Sequence, residues 1–490
     1  VGRVSATTGC GLWNALLLAL MAAPLPPLLA GCGGSGPPAR NVLLISVDTL
    51  RADHLGLYGY ARDTSPAMDR LASEGVTFDR AIVQWPVTTP SMTSMFSGHY
   101  PHVTGIVIAA GDNMLPDRLL MLAEAFRDRG HRTAAVVANG VLGRHNNFAQ
   151  GFQVYRELWK REGDPARRTD ARHVTDAALE ELRDLAPAGE PFLLWVHYVD
   201  PHFPYDPPDG YAEAFERDSH YRRIDAPVNA DDDAWRGIPH GRYARAGRVA
   251  DLGRYIADYD GEIRYTDEQI GRLLEGLDAS PAADATLVAL VADHGESLGE
   301  HDFYLNHGHV PYEEQLRVPL IFRWPDRRHA GRRIGAAVEV RGLARTLLAA
   351  VGTPDAENPF EGTNLLPVME GGATGDLPAE VFSEAGSEET RVRRSYTLAM
   401  HRDGLKLVLP RTDWARERAG GRELELFDLA RDPDEQRDLG GERRELAESM
   451  RHELLEWFFS EEPWPRHTRY DPERADRMTR QALRELGYVR

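Results

Sequence analysis

Cysteine is nearly missing from this 490-residue chain: the only two, Cys10 and Cys32, both lie near its start. The body beyond them has no thiol to act as nucleophile, metal ligand or disulfide partner, so its stability has to come from packing and bound metal. Lysine is almost as scarce. Lys160 and Lys406 stand alone among many arginines, and a catalytic lysine has almost nowhere to be. Positive charge is in deficit overall: a formal net charge of -19 excludes nucleic acid or an anionic membrane surface as the main partner, while leaving room for a small anionic substrate in a local cationic site. Internal repeats and low-complexity tracts are missing from the body. With 42% apolar residues over this length, a large core is affordable and disorder is excluded for most of the chain.

The N-terminus has Arg3, an apolar run from Leu12 to Leu29 and then small residues ending in Gly33-Gly34. This is the pattern of a secretory signal. As a transmembrane helix it is poor, because Pro24, Pro26 and Pro27 interrupt it. "LAGC" at Leu29 to Cys32 resembles a bacterial lipobox, which would place a lipid on Cys32 and anchor an exported lipoprotein to a membrane; an ordinary cleaved signal is the competing reading. Residues 1–32 are thus assigned to the leader and 33–40, "GGSGPPAR", to a linker.

Continuous apolar runs of strand length follow at Asn41 to Val47, Thr133 to Ala138, Phe192 to Tyr198, Thr286 to Ala292 and Val318 to Phe322. Such runs predict strands covered on both faces. Helical spacing separates them, at Leu119 to Arg129 closed by Gly130, and at Ile256, Tyr259, Ile263, Ile270, Leu273 and Leu274. The alternation predicts an α/β fold with a mostly parallel central sheet and helices on both faces. From about Gly371 shorter runs at Tyr396 to Met400, Leu405 to Leu409 and Leu424 to Leu429 predict a small antiparallel sheet, followed by a helix from Glu442 to Phe459. Residues 41–370 form the main domain in this reading and 371–490 a C-terminal subdomain. The polar, weakly periodic stretch 209–253 reads as an insertion, either a lid or a solvated excursion.

In open α/β sheets, ligands sit beyond the carboxyl ends of strands. The first strand ends in Asp48, the strand before the insertion runs into His197-Tyr198-Val199-Asp200-Pro201-His202, and the fourth ends in Asp293-His294-Gly295. One Asp there could be a helix cap. Three strands ending in Asp, two of them followed by His, point to a metal or phosphate site. Asp48, Asp293 and His294 would supply two carboxylates and an imidazole to a divalent cation, and Thr88, in "VTTPSMTSMFSG", the further ligand. Pro90 suits the first turn of a helix whose amides, from Ser91 onward, would face an ester oxyanion. A hydroxyl ionised by a metal and aimed at that helix end is an activated nucleophile. Thr89, Ser91, Thr93 and Ser94 read instead as capping and helix-packing hydroxyls.

"NVLLISVDTLRADHLGLYGY", "TTPSMTSMFSGHYPHVTGI", "DPHFPYDPP", "VADHGESLGEH" and "HGHVPYEEQLRVPLIF", in that order, resemble the sulfatase family of the alkaline phosphatase superfamily; "ELFDLARDPDEQRDL" is similar to the family's C-terminal subdomain. The resemblance implies an alkaline-phosphatase-like α/β sandwich, a divalent metal and hydrolysis or transfer of a sulfate or phosphate ester. It also exposes departures. Where sulfatases carry the Cys or Ser that becomes formylglycine, this chain has Thr88, and Met92 takes the place of the signature arginine. No formylglycine is expected. Thr49 and His294 stand where the family has a second Asp and commonly Asn, and the sulfate-holding lysines have no counterpart in these blocks.

A formylglycine hydrate releases sulfate by elimination, which threonine cannot do. A threonine phosphate ester can be cleared by a second in-line attack on phosphorus, so the site suits phosphoryl better than sulfuryl transfer. In this reading Asp48, Asp293 and His294 bind the metal, Thr88 attacks and ligates it, Asn139 and His202 hold non-bridging oxygens, and His307 or His309 protonates the leaving group or binds a second metal. His307 and Asn139 also count as substrate-binding candidates. Blander readings stay open: Asn139-Gly140 as a turn, His202 in a rigid Pro-rich loop, one of His307 and His309 as a surface histidine. One histidine among oxygen donors favours manganese or zinc, with calcium also open. The substrate is a small-molecule, glycan or lipid ester. A phospho-head-group transferase and a catalytically silent binding protein are the alternatives.

Overall fold

The computed structural model describes residues 1–2, 38–107, 114–159, 170–229, 238–239, 250–386, 396–410 and 421–460. Residues 3–32 of the leader, Cys32 among them, and most of the linker lie outside the described residues, as do part of the 209–253 stretch and Lys160. Among the described residues no helix is long and apolar enough to cross a membrane.

A nine-stranded sheet organises residues 38–460, with Asn41–Val47 at its centre between Thr286–Ala292 and Phe192–Tyr198, parallel to both. Arg132–Val137 and Val154–Glu157 extend it in parallel on one side. The three central strands are buried at every residue, because helices cover both faces and leave no solvated side to demand alternation. On the other side Leu320–Arg323 runs antiparallel to Thr286–Ala292 and to Val76–Ile82. The single run expected from Val318 to Phe322 is two strands, Arg317–Val318 and Leu320–Arg323, flanking Pro319, which has no backbone N–H to offer the ladder. The first long helical stretch is shorter than its apolar spacing suggests, Leu122–Arg127, and Gly130 takes a left-handed φ of 81° just beyond it.

Helix Leu252–Asp278 packs against helices Ala171–Leu185, Tyr211–Glu216 and Pro66–Ser73. Its Asp267 accepts from the amides of Ala67 and Met68 at 2.9 and 2.8 Å, satisfying two donors at the start of Pro66–Ser73 that the helix itself cannot use.

The C-terminal sheet has the order Glu380–Ala385, Thr397–Arg402, Leu405–Leu409, Glu425–Asp428, all antiparallel. Asp403-Gly404, both at positive φ, form its tightest turn, as a two-residue hairpin requires. Alternation then sorts its side chains. Leu398, Met400 and Leu407 face Ala447, Met450, Leu454 and Phe458 of helix Arg444–Ser460, while Ala399, Val408 and Phe427 face Phe303 and Tyr312 of the main domain. Lys406, fully buried on this sheet, places its ammonium 3.0 Å from Glu313 and 2.8 Å from Glu435. Lys406→Met leaves both carboxylates without their shared cation and is expected to destabilise the protein by about 3–5 kcal/mol. A guanidinium midpoint unchanged by the substitution would show the ammonium to be dispensable.

Candidate active site

The register of the central strands sets the site. Val47 is level with both Tyr198 and Ala292, so the next residues, Asp48 and Asp293, emerge side by side at the carboxyl edge. Backbone bonds lock them there, Asp48 N to Tyr198 O at 2.9 Å and Asp293 N to Val47 O at 3.3 Å. The chain then turns sharply through Thr49, at φ 53°, a conformation unusual for a β-branched residue. Two contacts hold it: Thr49 N donates to Asp293 Oδ1, and Tyr259 Oη donates to Thr49 O at 2.7 Å.

Asp48, Asp293 and His294 offer ligand atoms that all lie within 4.8 Å of one another, and all three side chains are fully buried. His294 Nδ1 lies 2.9 Å from Gly295 O, a pure acceptor, so Nδ1 carries the proton and Nε2 turns its lone pair inward. Nε2 is 3.7 Å from both Asp48 and Asp293. Burial and the neighbouring His307 push the His294 pKa down to about 3, which keeps it a neutral ligand. The carboxylates divide sharply. Burial raises Asp48, but His202, His197 and His294 outweigh it and hold the group well below the usual range; burial and the charge of Asp48 push Asp293 well above it. Asp293 Oδ2 is buried and accepts no hydrogen bond. Paired carboxylates that resist joint ionisation, an orphaned oxygen and an inward imidazole lone pair fit a divalent cation.

Helix Thr88–Ser97 has Pro90 in its first turn, as expected, where a missing N–H is harmless, and begins at Thr88 ahead of it. Ser91 N is therefore spent on Val87 O at 3.0 Å, and the helix is headed by Thr88 and Thr89 instead. Thr88 Oγ1 lies 3.2 Å from His294 Nε2 and 3.5 Å from Asp48 Oδ1. The other hydroxyls serve packing: Ser91 Oγ donates to Asp293 O and Thr93 Oγ1 to Thr89 O. Met92 is buried in the apolar core, leaving no cation at the place of the missing arginine.

Asn139 Nδ2 donates to Asp48 Oδ2 at 2.6 Å, while its Oδ1 accepts from Val141 N and caps the next turn. The ring of His307 lies 4.3 Å from that of His294 and 5.3 Å from that of His202. His202 Nδ1 is tied to Phe203 O at 2.6 Å. The ring of His309 lies edge-on to Phe303 at 5.8 Å, and burial followed by the His307 charge pushes its pKa down to about 3.

Two residues that the sequence did not single out join this group. His197 is fully buried in the Phe192–Tyr198 strand; its Nδ1 meets Ser46 Oγ at 2.8 Å and its Nε2 lies 3.7 Å from Asp48 Oδ2. Glu296 Oε1 is 2.9 Å from His307 Nδ1, and burial, partly offset by His202, pushes its pKa up to about 7. A polar residue inside an otherwise apolar strand was the available signal for His197. Gly295 shows how tightly the turn is built: an added Cβ would sit 2.0 Å from Glu314 O. Gly295→Ala has to displace the His294 backbone, and the metal concentration for half-maximal turnover is expected to rise about 10–100-fold. An unchanged metal requirement would mean the turn yields without moving its ligand.

A mostly parallel sheet with two carboxylates, an imidazole and a helix-borne hydroxyl at its carboxyl edge defines an alkaline-phosphatase-like metallohydrolase. Comparison with known proteins gives the family. A profile described as Sulfatase matches residues 40–353, and one described as N-sulphoglucosamine sulphohydrolase, C-terminal, matches residues 299–458. The chain belongs to the sulfatase family. It is similar to the Ulvan-active sulfatase of Formosa agariphila, 26% identical over 85% of this chain and 80% of the relative. It is similar also to the Delta 4,5-hexuronate-2-O-sulfatase of Bacteroides thetaiotaomicron, 25% identical over 87% and 88% of the two chains. Among solved structures the phosphonate monoester hydrolase of Agrobacterium radiobacter shares the fold, with a TM-score of 0.68 at 22% identity over 85% of this chain and 95% of that one.

Proposed function

We propose that this protein is an exported, metal-dependent phosphodiesterase of the sulfatase family that uses Thr88 as its nucleophile. The observation that carries the reading is the position of Thr88 Oγ1, within 3.5 Å of Asp48 and 3.2 Å of His294 at the head of a buried helix. A divalent cation held by Asp48, Asp293, His294 and Thr88, of the manganese or zinc type, would supply Lewis acidity that lowers the hydroxyl pKa and offsets charge on the ester. Thr88 attacks phosphorus in line with the leaving group, and the helix start stabilises the oxyanion. Asn139 and His202 orient the non-bridging oxygens. His307, whose ring Glu296 orients through Nδ1 at 2.9 Å, protonates the leaving group in preference to His309. Clearing the threonine ester takes a second in-line attack, by water or by an alcohol acceptor.

The glycan sulfatases among the relatives and the phosphonate monoester hydrolase among the shared folds suggest a glycan or other small ester as substrate. The leader and "LAGC" support export and a lipid on Cys32; residues 41–370 would carry the chemistry and 371–490 the C-terminal subdomain. The test is hydrolysis of matched nitrophenyl sulfate, phosphate monoester and phosphate diester, with manganese, zinc or calcium added. Fastest metal-dependent cleavage of the diester supports the reading, and preferential sulfate cleavage removes it. Products formed only with an added alcohol would make the protein a transferase.

A further inference from the structure

A second group of ligating side chains lies away from the catalytic centre, where the C-terminal sheet meets the main domain. His301, Glu314 and Glu435 come from three separate segments, the turn after Gly299, the short helix Glu313–Leu316 and the loop after strand Glu425–Asp428. One ligand atom from each lies within 4.8 Å of the other two. The orientation of His301 is set by its ring stacking on Tyr312, centroids 3.8 Å apart at 11°. His301 and Glu435 line a cavity of about 440 Å³, whose other polar walls among the described residues include Glu300, Asp302, Glu425, Gln436 and Asp438, with Arg422 the one arginine or lysine among the lining residues.

Charge around this group does not balance. Glu300 pairs with Arg51, Glu425 with Arg422, and Glu313 with both His401 and Lys406, so Glu435 has only a share of the Lys406 ammonium among the described residues. Glu314 is buried with the Ser297 hydroxyl at 2.8 Å and has no ion-pair partner among the described residues. Buried carboxylates in surplus need protons or a cation.

We infer that His301, Glu314 and Glu435 bind a divalent transition-metal ion of the zinc or manganese class, in a structural site that ties the C-terminal sheet to the catalytic domain. One imidazole beside two carboxylates is a donor set for such an ion. The cavity provides room for water to complete its coordination. The ion also secures the loop that leads away from the active site, because Arg51, two residues beyond Thr49, bridges Glu300 and the Glu296 carbonyl at 2.7 and 3.1 Å.

The test is metal stoichiometry in the full chain, stripped with chelator, reloaded with zinc, desalted and measured by elemental analysis, with thermal melting in parallel. Wild type is expected to retain two ions, and His301→Gln and Asp293→Asn one each. Glu314→Gln, close in shape to glutamate, is expected to lose the same ion as His301→Gln, and a native-like melt without zinc shows that the loss is not unfolding. Undiminished zinc content in both His301→Gln and Glu314→Gln overturns the inference. If wild type holds a single ion that Asp293→Asn keeps and His301→Gln loses, the inference stands while the catalytic metal of the proposed function falls.

Discussion

Thr88→Ala is expected to lower kcat/KM for a phosphate diester by about 10⁴-fold or more, the scale seen when a catalytic nucleophile is deleted. The reason is specific to this site. No neighbouring group replaces the lost hydroxyl, since Ser91 Oγ donates to the Asp293 carbonyl and Thr93 Oγ1 to the Thr89 carbonyl, and the body has no cysteine. Folding should survive, and metal should still bind at saturating concentration though more weakly, because Asp48, Asp293 and His294 remain at strand ends whose positions do not depend on that hydroxyl. Thr88→Ser keeps the oxygen and is expected to retain part of the activity, with loss in kcat exceeding any change in KM. A Thr88→Ala enzyme within about tenfold of wild type would assign the attack to another group.

Asp293→Asn is expected to weaken metal binding by at least about 100-fold and to abolish turnover at micromolar metal. Stability supplies a second readout of opposite sign. Without metal, Asp293 is buried against Asp48 with Oδ2 unpaired, an arrangement that opposes folding. The neutral amide relieves that repulsion, so the variant should melt no lower than wild type in chelator. Saturating metal should then raise the wild-type melting temperature and leave the variant almost unmoved, since a ligand stabilises only the state that binds it. A variant that melts well below wild type in chelator would show that the ionised carboxylate is itself a structural element.

How legible these features were depends on how each strand is covered. Asn41–Val47, Phe192–Tyr198 and Thr286–Ala292 are read to the residue, because burial on both faces writes an uninterrupted apolar run. Val76–Ile82 and Arg332–Glu339 escaped the same reading. Their outer residues are only partly covered, and an Asp79–Arg333 ion pair across them looks in sequence like loop composition. Asp48, Asp293 and His294 were visible as the first polar residues after apolar runs. His197 was hidden inside such a run, and Glu296 gains meaning only when folding brings His307 to it. Pro90 was legible as a first-turn residue of the Thr88 helix, and it stands there; that the helix already begins at Thr88 was not written in the sequence. Met92 was noted as a departure from the signature; its place in the core gives that departure a physical consequence, an apolar wall where a cation would otherwise stand.

The central claim is that Thr88 carries the transferred group, and rapid quench of the metal-loaded enzyme with an activated nitrophenyl phosphate diester tests it most directly. Peptides from the quenched protein would be examined by mass spectrometry for a covalent phosphoryl ester. The expected result is an adduct on the threonine of the Thr88 peptide, forming with the burst of nitrophenol and decaying at the turnover rate. An adduct on any other residue, or a Thr88 peptide that stays unmodified through the burst, would contradict the account.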